Sequence, residues 1–197
     1  MRKGSFVFYV SKDGKCADAK KLEEDGNHFE LGILLGYPEC CCRFFAENFS
    51  SKNTDLTLKT LENSKGYEFN FLNNICARHF DISLLSHFPC SFECEESTAI
   101  AQKNLESIKK NYPEIAKLFE NVLNCAVVYT MNEGVFLLRG YKKNGEEITY
   151  SGVVSTSKSK LHYLLSSGKR IKVLSKNRFF LEDELVEGKN KGVMAFS

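Results

Sequence analysis

The chain has 197 residues, long enough to bury a core that needs no covalent staples. Hydrophobic residues make up 43% of it and charged residues 26%, which excludes a disordered chain, and no apolar run approaches the roughly 20 residues a membrane helix requires. The net charge of +2 is unevenly spread: residues 1–124 carry 15 Lys/Arg against 18 Asp/Glu, and residues 125–197 carry 12 against 7.

Met1, Arg2 and Lys3 have the charge of a signal peptide, but the apolar stretch Phe6 to Val10 is too short for one, against roughly 7–15 residues. It reads as a first β-strand of a cytoplasmic protein. Phe29 to Leu35 is a short apolar segment, helical or extended, closed by Gly36. Pro38 suits the first turn of a new helix, and Cys41, Phe44, Phe45 and Phe49 then follow one helical face. Leu56, Leu58 and Leu61 suggest a weaker helix, and Tyr67 to Phe80 is apolar without a clear period. A long helix is expected from about Pro89 to Lys110, with the stripe Cys90, Cys94, Ser97, Ala101, Leu105 and Ile108. Pro113 opens another helix.

From Cys125 the pattern turns to strands. Val135 to Tyr141 and Glu147 to Val154 flank Asn144 and Gly145, a type I′ hairpin signal. A short helix from Lys158 to Leu165, capped by Ser157, precedes strands at 170–174, 178–181 and 193–196. The fold class is α+β: a helical, cysteine-bearing part (1–124) and a mostly antiparallel, basic β-rich part (125–197), together one compact unit.

Eight cysteines are the outlying count. Five fall into two clusters, Cys40, Cys41 and Cys42 after Pro38, and Cys90 and Cys94 after Pro89. Helix N-termini carry partial positive charge and free amides, and both favour thiolate, the form that binds metal or attacks an electrophile. Cys41 and the Cys90/Cys94 pair lie on inward-looking faces, so they converge if the two helices pack together. The candidate set is Cys41, His87, Cys90 and Cys94, with Cys40 as the replacement for His87. It suits tetrahedral Zn²⁺, or an iron–sulfur cluster if all four ligands are thiolates. Two further readings stand beside it: inter-helix disulfides such as Cys41–Cys90, and free thiols packed in a core. Cys125 opens an apolar strand and reads as a small buried hydrophobe.

The segments Gly-Tyr-Pro-x-Cys-Cys-x-x-Phe (Gly36, Tyr37, Pro38, Cys40, Cys41, Phe44) and His-x-Pro-Cys-Ser-x-x-Cys-x-x-Ser (His87, Pro89, Cys90, Ser91, Cys94, Ser97) resemble those of an archaeal and bacterial family catalogued as a domain of unknown function. The resemblance covers roughly residues 31–120. It implies that Cys40, Cys41, His87, Cys90 and Cys94 form one functional unit, and it supplies no activity. Cys42 lies outside the motif.

Other chemistry is sparse. A metal-free thiol enzyme would pair Cys41 with His87 or His79, the latter oriented by Asp81, for acyl or sulfur transfer. The simpler reading places His79 and Asp81 in an ordinary loop. No nucleophile-elbow, Walker or dinucleotide glycine pattern is present. Residues 158–178 hold seven Lys/Arg and no acid, with Tyr163, Phe179 and Phe180 close by. That segment offers a weak contact for RNA or another polyanion, on a module with structural zinc, or is simply a solvated face.

Overall fold

The computed structural model describes residues 8–197 and has three layers. The helical layer comprises α1 (Cys16–Glu24), α2 (His28–Leu34), α3 (Glu39–Asn48), α4 (Thr57–Asn63), α5 (Glu95–Asn111) and α6 (Pro113–Leu123). Between α4 and α5 lie a two-residue strand, β1 (Glu68–Phe69), and two 3-10 turns at Phe71–Asn73 and Ile75–Phe80. The remainder is β2 (Ala126–Thr130), β3 (Gly134–Arg139), β4 (Lys142–Asn144), β5 (Glu147–Thr149), β6 (Gly152–Ser155), α7 (Lys160–Gly168), β7 (Arg170–Ser175), β8 (Arg178–Leu181), β9 (Glu184–Glu187) and β10 (Lys191–Phe196).

The first sheet has the order β1-β10-β2-β3-β6, and the second β4-β5-β7-β8-β9. All pairings are antiparallel except that of β1 with β10. β2 is buried at every position because both faces of the first sheet are covered. Val127, Tyr129, Leu137, Met194 and Phe196 face one core with the helices. Their neighbours Val128, Phe136, Leu138, Val193 and Ala195 face a second core with β5, β7, β8 and α7. Strand alternation thus assigns adjacent residues to different layers.

The α+β expectation holds, with helices first and antiparallel strands after. Several boundaries differ. The predicted strand at Phe6–Val10 falls partly outside the described residues, and Phe8 to Val10 have no regular structure. The helix expected from Pro89 begins only at Glu95, with Cys94 as its N-cap, so Cys90 sits in the preceding loop. Backbone groups of that loop are bonded instead to side chains of neighbouring segments, and these contacts replace helical hydrogen bonds. The hairpin around Gly145 is real but longer than expected: β3 with β6 and β4 with β5 form one bent ribbon that crosses from the first sheet to the second. At its tip Asn144 pairs with Glu147, and only Gly145 of the two loop residues has positive φ (60°). A type I′ turn needs two such residues, so the turn is of the kind that places glycine first. The cap of α7 is Ser159, whose side chain accepts from the His162 amide, rather than Ser157. Strand β9 lies in an acidic, largely exposed stretch with no apolar alternation to announce it.

Candidate metal centre

Pro38 sets the geometry of the first cysteine segment. Its extended backbone (φ −58°, ψ 137°) ends the preceding turn, and its carbonyl accepts from both the Cys41 and Cys42 amides at 2.9 Å. Cys40 and Cys41 therefore occupy the first turn of α3. Cys42, about 100° further round, turns away from them toward α2. There its Sγ sits 3.6 Å from the Tyr37 carbonyl, and it packs so tightly on Gly32 that a Cβ at that position would lie 2.6 Å from the sulfur.

The second segment, residues 87–94, is irregular and is held from outside. Thr60 Oγ1 donates to the Pro89 carbonyl (2.8 Å), Asn63 to the Cys90 carbonyl (3.1 Å), and Arg78 to the His87 carbonyl (3.0 Å). Ser64 Oγ accepts from the Phe92 amide at 2.7 Å. The fully buried Asn73 donates to the carbonyls of Phe92 (3.0 Å) and Cys94 (3.3 Å) and to Thr98 Oγ1 (2.8 Å). The Phe92 ring is buried against Phe69 and Phe196, with centroids 4.9 and 5.3 Å away, and anchors the loop in the core between its two cysteines. None of these supports stood out in the sequence. The Asn-Asn pair at 73–74, in a stretch otherwise apolar, was the available signal for a buried polar tie.

The result is a compact group of four sulfurs. Cys41 Sγ lies 3.6 Å from Cys94 Sγ, and Cys40 Sγ lies 3.7 Å from each of them. With Cys90 included, all four sulfurs fall within 4.8 Å of one another. Cys41 and Cys94 are buried, Cys90 half-buried and Cys40 exposed, and all eight cysteines of the chain are free thiols. His87 stands outside the group. Its Nε2 is 2.9 Å from Ser97 Oγ, which is 3.3 Å from Cys41 Sγ, so the imidazole reaches the sulfurs only through a hydroxyl. Cys40 takes the fourth place.

The local electrostatics suit a cation. Hydrogen bonds from Cys41 and Cys90, with those of Ser97, pull the Cys94 thiol far below its usual range. Its neighbours answer in the opposite sense: hydrogen bonding to Cys90 and Cys94 and then burial drive Cys41 well up, and burial with the Cys94 charge pushes Cys40 up to about 12. Two unit charges 4 Å apart repel by about 4 kcal/mol at an effective dielectric of 20, so without a cation the group holds little more than one negative charge. Four thiolates at this spacing therefore require a positive centre. The Cys90 amide already donates to Cys41 Sγ at 3.3 Å, as an amide does to a thiolate ligand. Burial pushes His87 down to about 4, which keeps the imidazole neutral.

A family model described as a protein of unknown function, DUF483, matches residues 12–123, more than half of the chain. The chain belongs to the DUF483 family. The matched span holds both cysteine segments and all six helices of the helical layer. No curated protein and no solved structure matches the chain.

The other candidates of this DUF483 chain fall elsewhere. His79 pairs with Asp55 (3.1 Å) rather than Asp81, and Tyr129 donates to the same carboxylate oxygen at 2.7 Å; neither contact involves the sulfur group. Asp81 closes a 3-10 turn in the left-handed region, which explains its place in the sequence without an ionic role. Cys125 is buried beside Asn74, as a small core residue would be. In the basic segment, Arg170 pairs with Glu147 and Glu182, Arg178 with Glu187, and Lys160 with Glu184. Lys176 donates to the carbonyls of Leu61, Glu62 and Ser64 at the end of α4. Much of the positive charge is thus answered by the chain's own acids and carbonyls. No helix among the described residues is long and apolar enough to cross a membrane.

Proposed function

We propose that Cys40, Cys41, Cys90 and Cys94 bind one zinc ion, which fixes the loop before α5 to the start of α3. The observation that carries this reading is the compactness of the sulfurs. Thiolates about 2.3 Å from a central Zn²⁺ occupy corners of a tetrahedron whose edges are about 3.8 Å, and three of the sulfur pairs stand at 3.6–3.7 Å. An iron–sulfur cluster spreads its four thiolates over two or more irons with sulfides between them, and so needs a wider frame than four sulfurs within 4.8 Å. With four protein ligands the shell is closed, which favours a structural over a catalytic ion. The thiol-enzyme reading has weaker support, since Cys41 is buried and meets His87 only through Ser97. A nucleic-acid module has weaker support too, because the basic segment is so largely paired within the chain.

The test is metal analysis of protein purified without oxygen, compared with the Cys90→Ser variant. One zinc per colourless chain is expected, with metal content and melting temperature falling together in the variant, because binding is coupled to folding. A brown chain containing iron and sulfide would sink the zinc assignment. A metal-free chain whose stability ignores chelators would sink the metal site itself.

A further inference from the structure

A half-open cavity of about 260 Å³ is walled by α2, α3 and residues 86–88. The walls are apolar and largely aromatic: Leu31, Leu35, Tyr37, Phe45, Phe49 and Phe88 line it. Phe45 and Phe49 stack at 4.5 Å, and the His28 ring meets both edge-on at 5.5 and 5.1 Å, so three rings brace one side of it. An apolar cavity of roughly 150 Å³ accommodates benzene, so this one has room for a single ring with a short side chain.

The charge in this lining comes from α1. Glu23, in the last turn of that helix, is the one carboxylate among the described residues of the lining, and no lysine or arginine joins it there. Glu23 is exposed, so it stands where the cavity opens to water. Tyr9 donates to its Oε2 at 2.8 Å and holds the carboxylate in place. Among the described residues Oε1 has no hydrogen-bond donor and Glu23 no cationic partner, whereas the adjacent Glu24 pairs with Lys20 at 3.7 Å. The last turn is also the negative end of the helix dipole. A carboxylate at the mouth of an aromatic pocket complements a cation with an apolar body. The ammonium meets the carboxylate, the ring faces favour positive charge, and the body leaves water.

We propose that this cavity binds a small apolar amine, with its hydrocarbon body between α2 and α3 and its ammonium on Glu23. The proposal does not rest on the metal reading. The test is titration of the purified protein at low salt with three probes of one shape: 2-phenylethylamine, which is a cation at neutral pH, 2-phenylethanol and 3-phenylpropionate. Binding is followed by the shifts of backbone amide signals in NMR spectra, with metal content measured on each sample. The amine should bind about three- to tenfold more tightly than the alcohol, the worth of one partly exposed ion pair, and the propionate most weakly. Added salt should narrow the difference. The shifts should centre on Leu31, Phe45, Phe49 and Phe88. Glu23→Gln keeps a carbonyl for Tyr9 but removes the charge, so it should bring the amine down to the alcohol and leave the alcohol unchanged. Alcohol or propionate binding as tightly as the amine, a preference that survives Glu23→Gln, or shifts centred elsewhere would overturn the proposal, as would a chain that binds none of the three at millimolar concentration. A metal-free chain that still prefers the amine overturns the zinc assignment and supports the amine site.

Discussion

Replacing Asn73 with Ala probes how the loop geometry is held, away from the sulfurs themselves. The Asn73 amide ties the carbonyls on either side of Glu93 and the Thr98 hydroxyl from a fully buried position. The Cys94 carbonyl keeps another partner, because Thr98 Oγ1 donates to it at 3.0 Å. The Phe92 carbonyl loses the Asn73 donor and gains nothing. The Asn73 amide has two hydrogens to share among these three acceptors, so two lost hydrogen bonds at about 0.5–1.5 kcal/mol each, plus about 1–3 kcal/mol for a stranded carbonyl, come to about 4 kcal/mol. In a chain of this size that lowers Tm by about 8–16 °C. Loosening Cys94 should also weaken metal binding by about 10–100-fold, as loss of a group that orients a ligand does. Thermal unfolding followed by circular dichroism, with chelator competition for the metal, measures both. A Tm within one degree of the parent and an unchanged chelator midpoint would refute the view that Asn73 sets the loop.

Gly32→Ala should destabilise by about 1–3 kcal/mol in urea titrations, because the new methyl group meets Cys42 Sγ; adding Cys42→Ala should recover most of the loss, and no recovery would show that the contact is not the cause. Asp55 is lowered well below the usual carboxylate range: burial alone would raise it, but hydrogen bonds from His79, Thr57 and Tyr129 outweigh that. A depressed carboxylate stabilises the fold above its unfolded value, about 3.9, and the benefit is lost as pH falls through the folded value. Asp55→Asn should therefore cost about 1.5–3 kcal/mol at neutral pH and flatten the acid limb of the stability profile below about pH 4; an unchanged acid limb would count against this carboxylate as its source.

The convergence of Cys41 with Cys90 and Cys94 was legible because five of the eight cysteines cluster just after two prolines, although only Pro38 leads directly into a helix. The loop around Cys90 was not, since it is held by Thr60, Asn63, Ser64, Asn73 and Arg78, residues far off in sequence with no periodicity to link them. His87 against Cys40 illustrates the same limit. Spacing puts both within reach of the site, and only the tertiary hydrogen bond to Ser97 decides between them. Asn144 and Gly145 announced a turn, but the ribbon's passage between sheets depends on packing of two cores, which alternation along one strand does not encode. Strand β9 is fixed by pairing to β8 rather than by its own residues.

The two faces of the central sheet bear on what the DUF483 match covers. The matched segment stops at residue 123, yet the apolar side of its helices rests on Val127, Tyr129, Leu137, Met194 and Phe196. Cut at the family boundary, the helices would present that whole seam to water, and a chain so trimmed would be expected to aggregate rather than carry its cysteines in register. The span of the sequence signature is thus smaller than the core in which its helices take part.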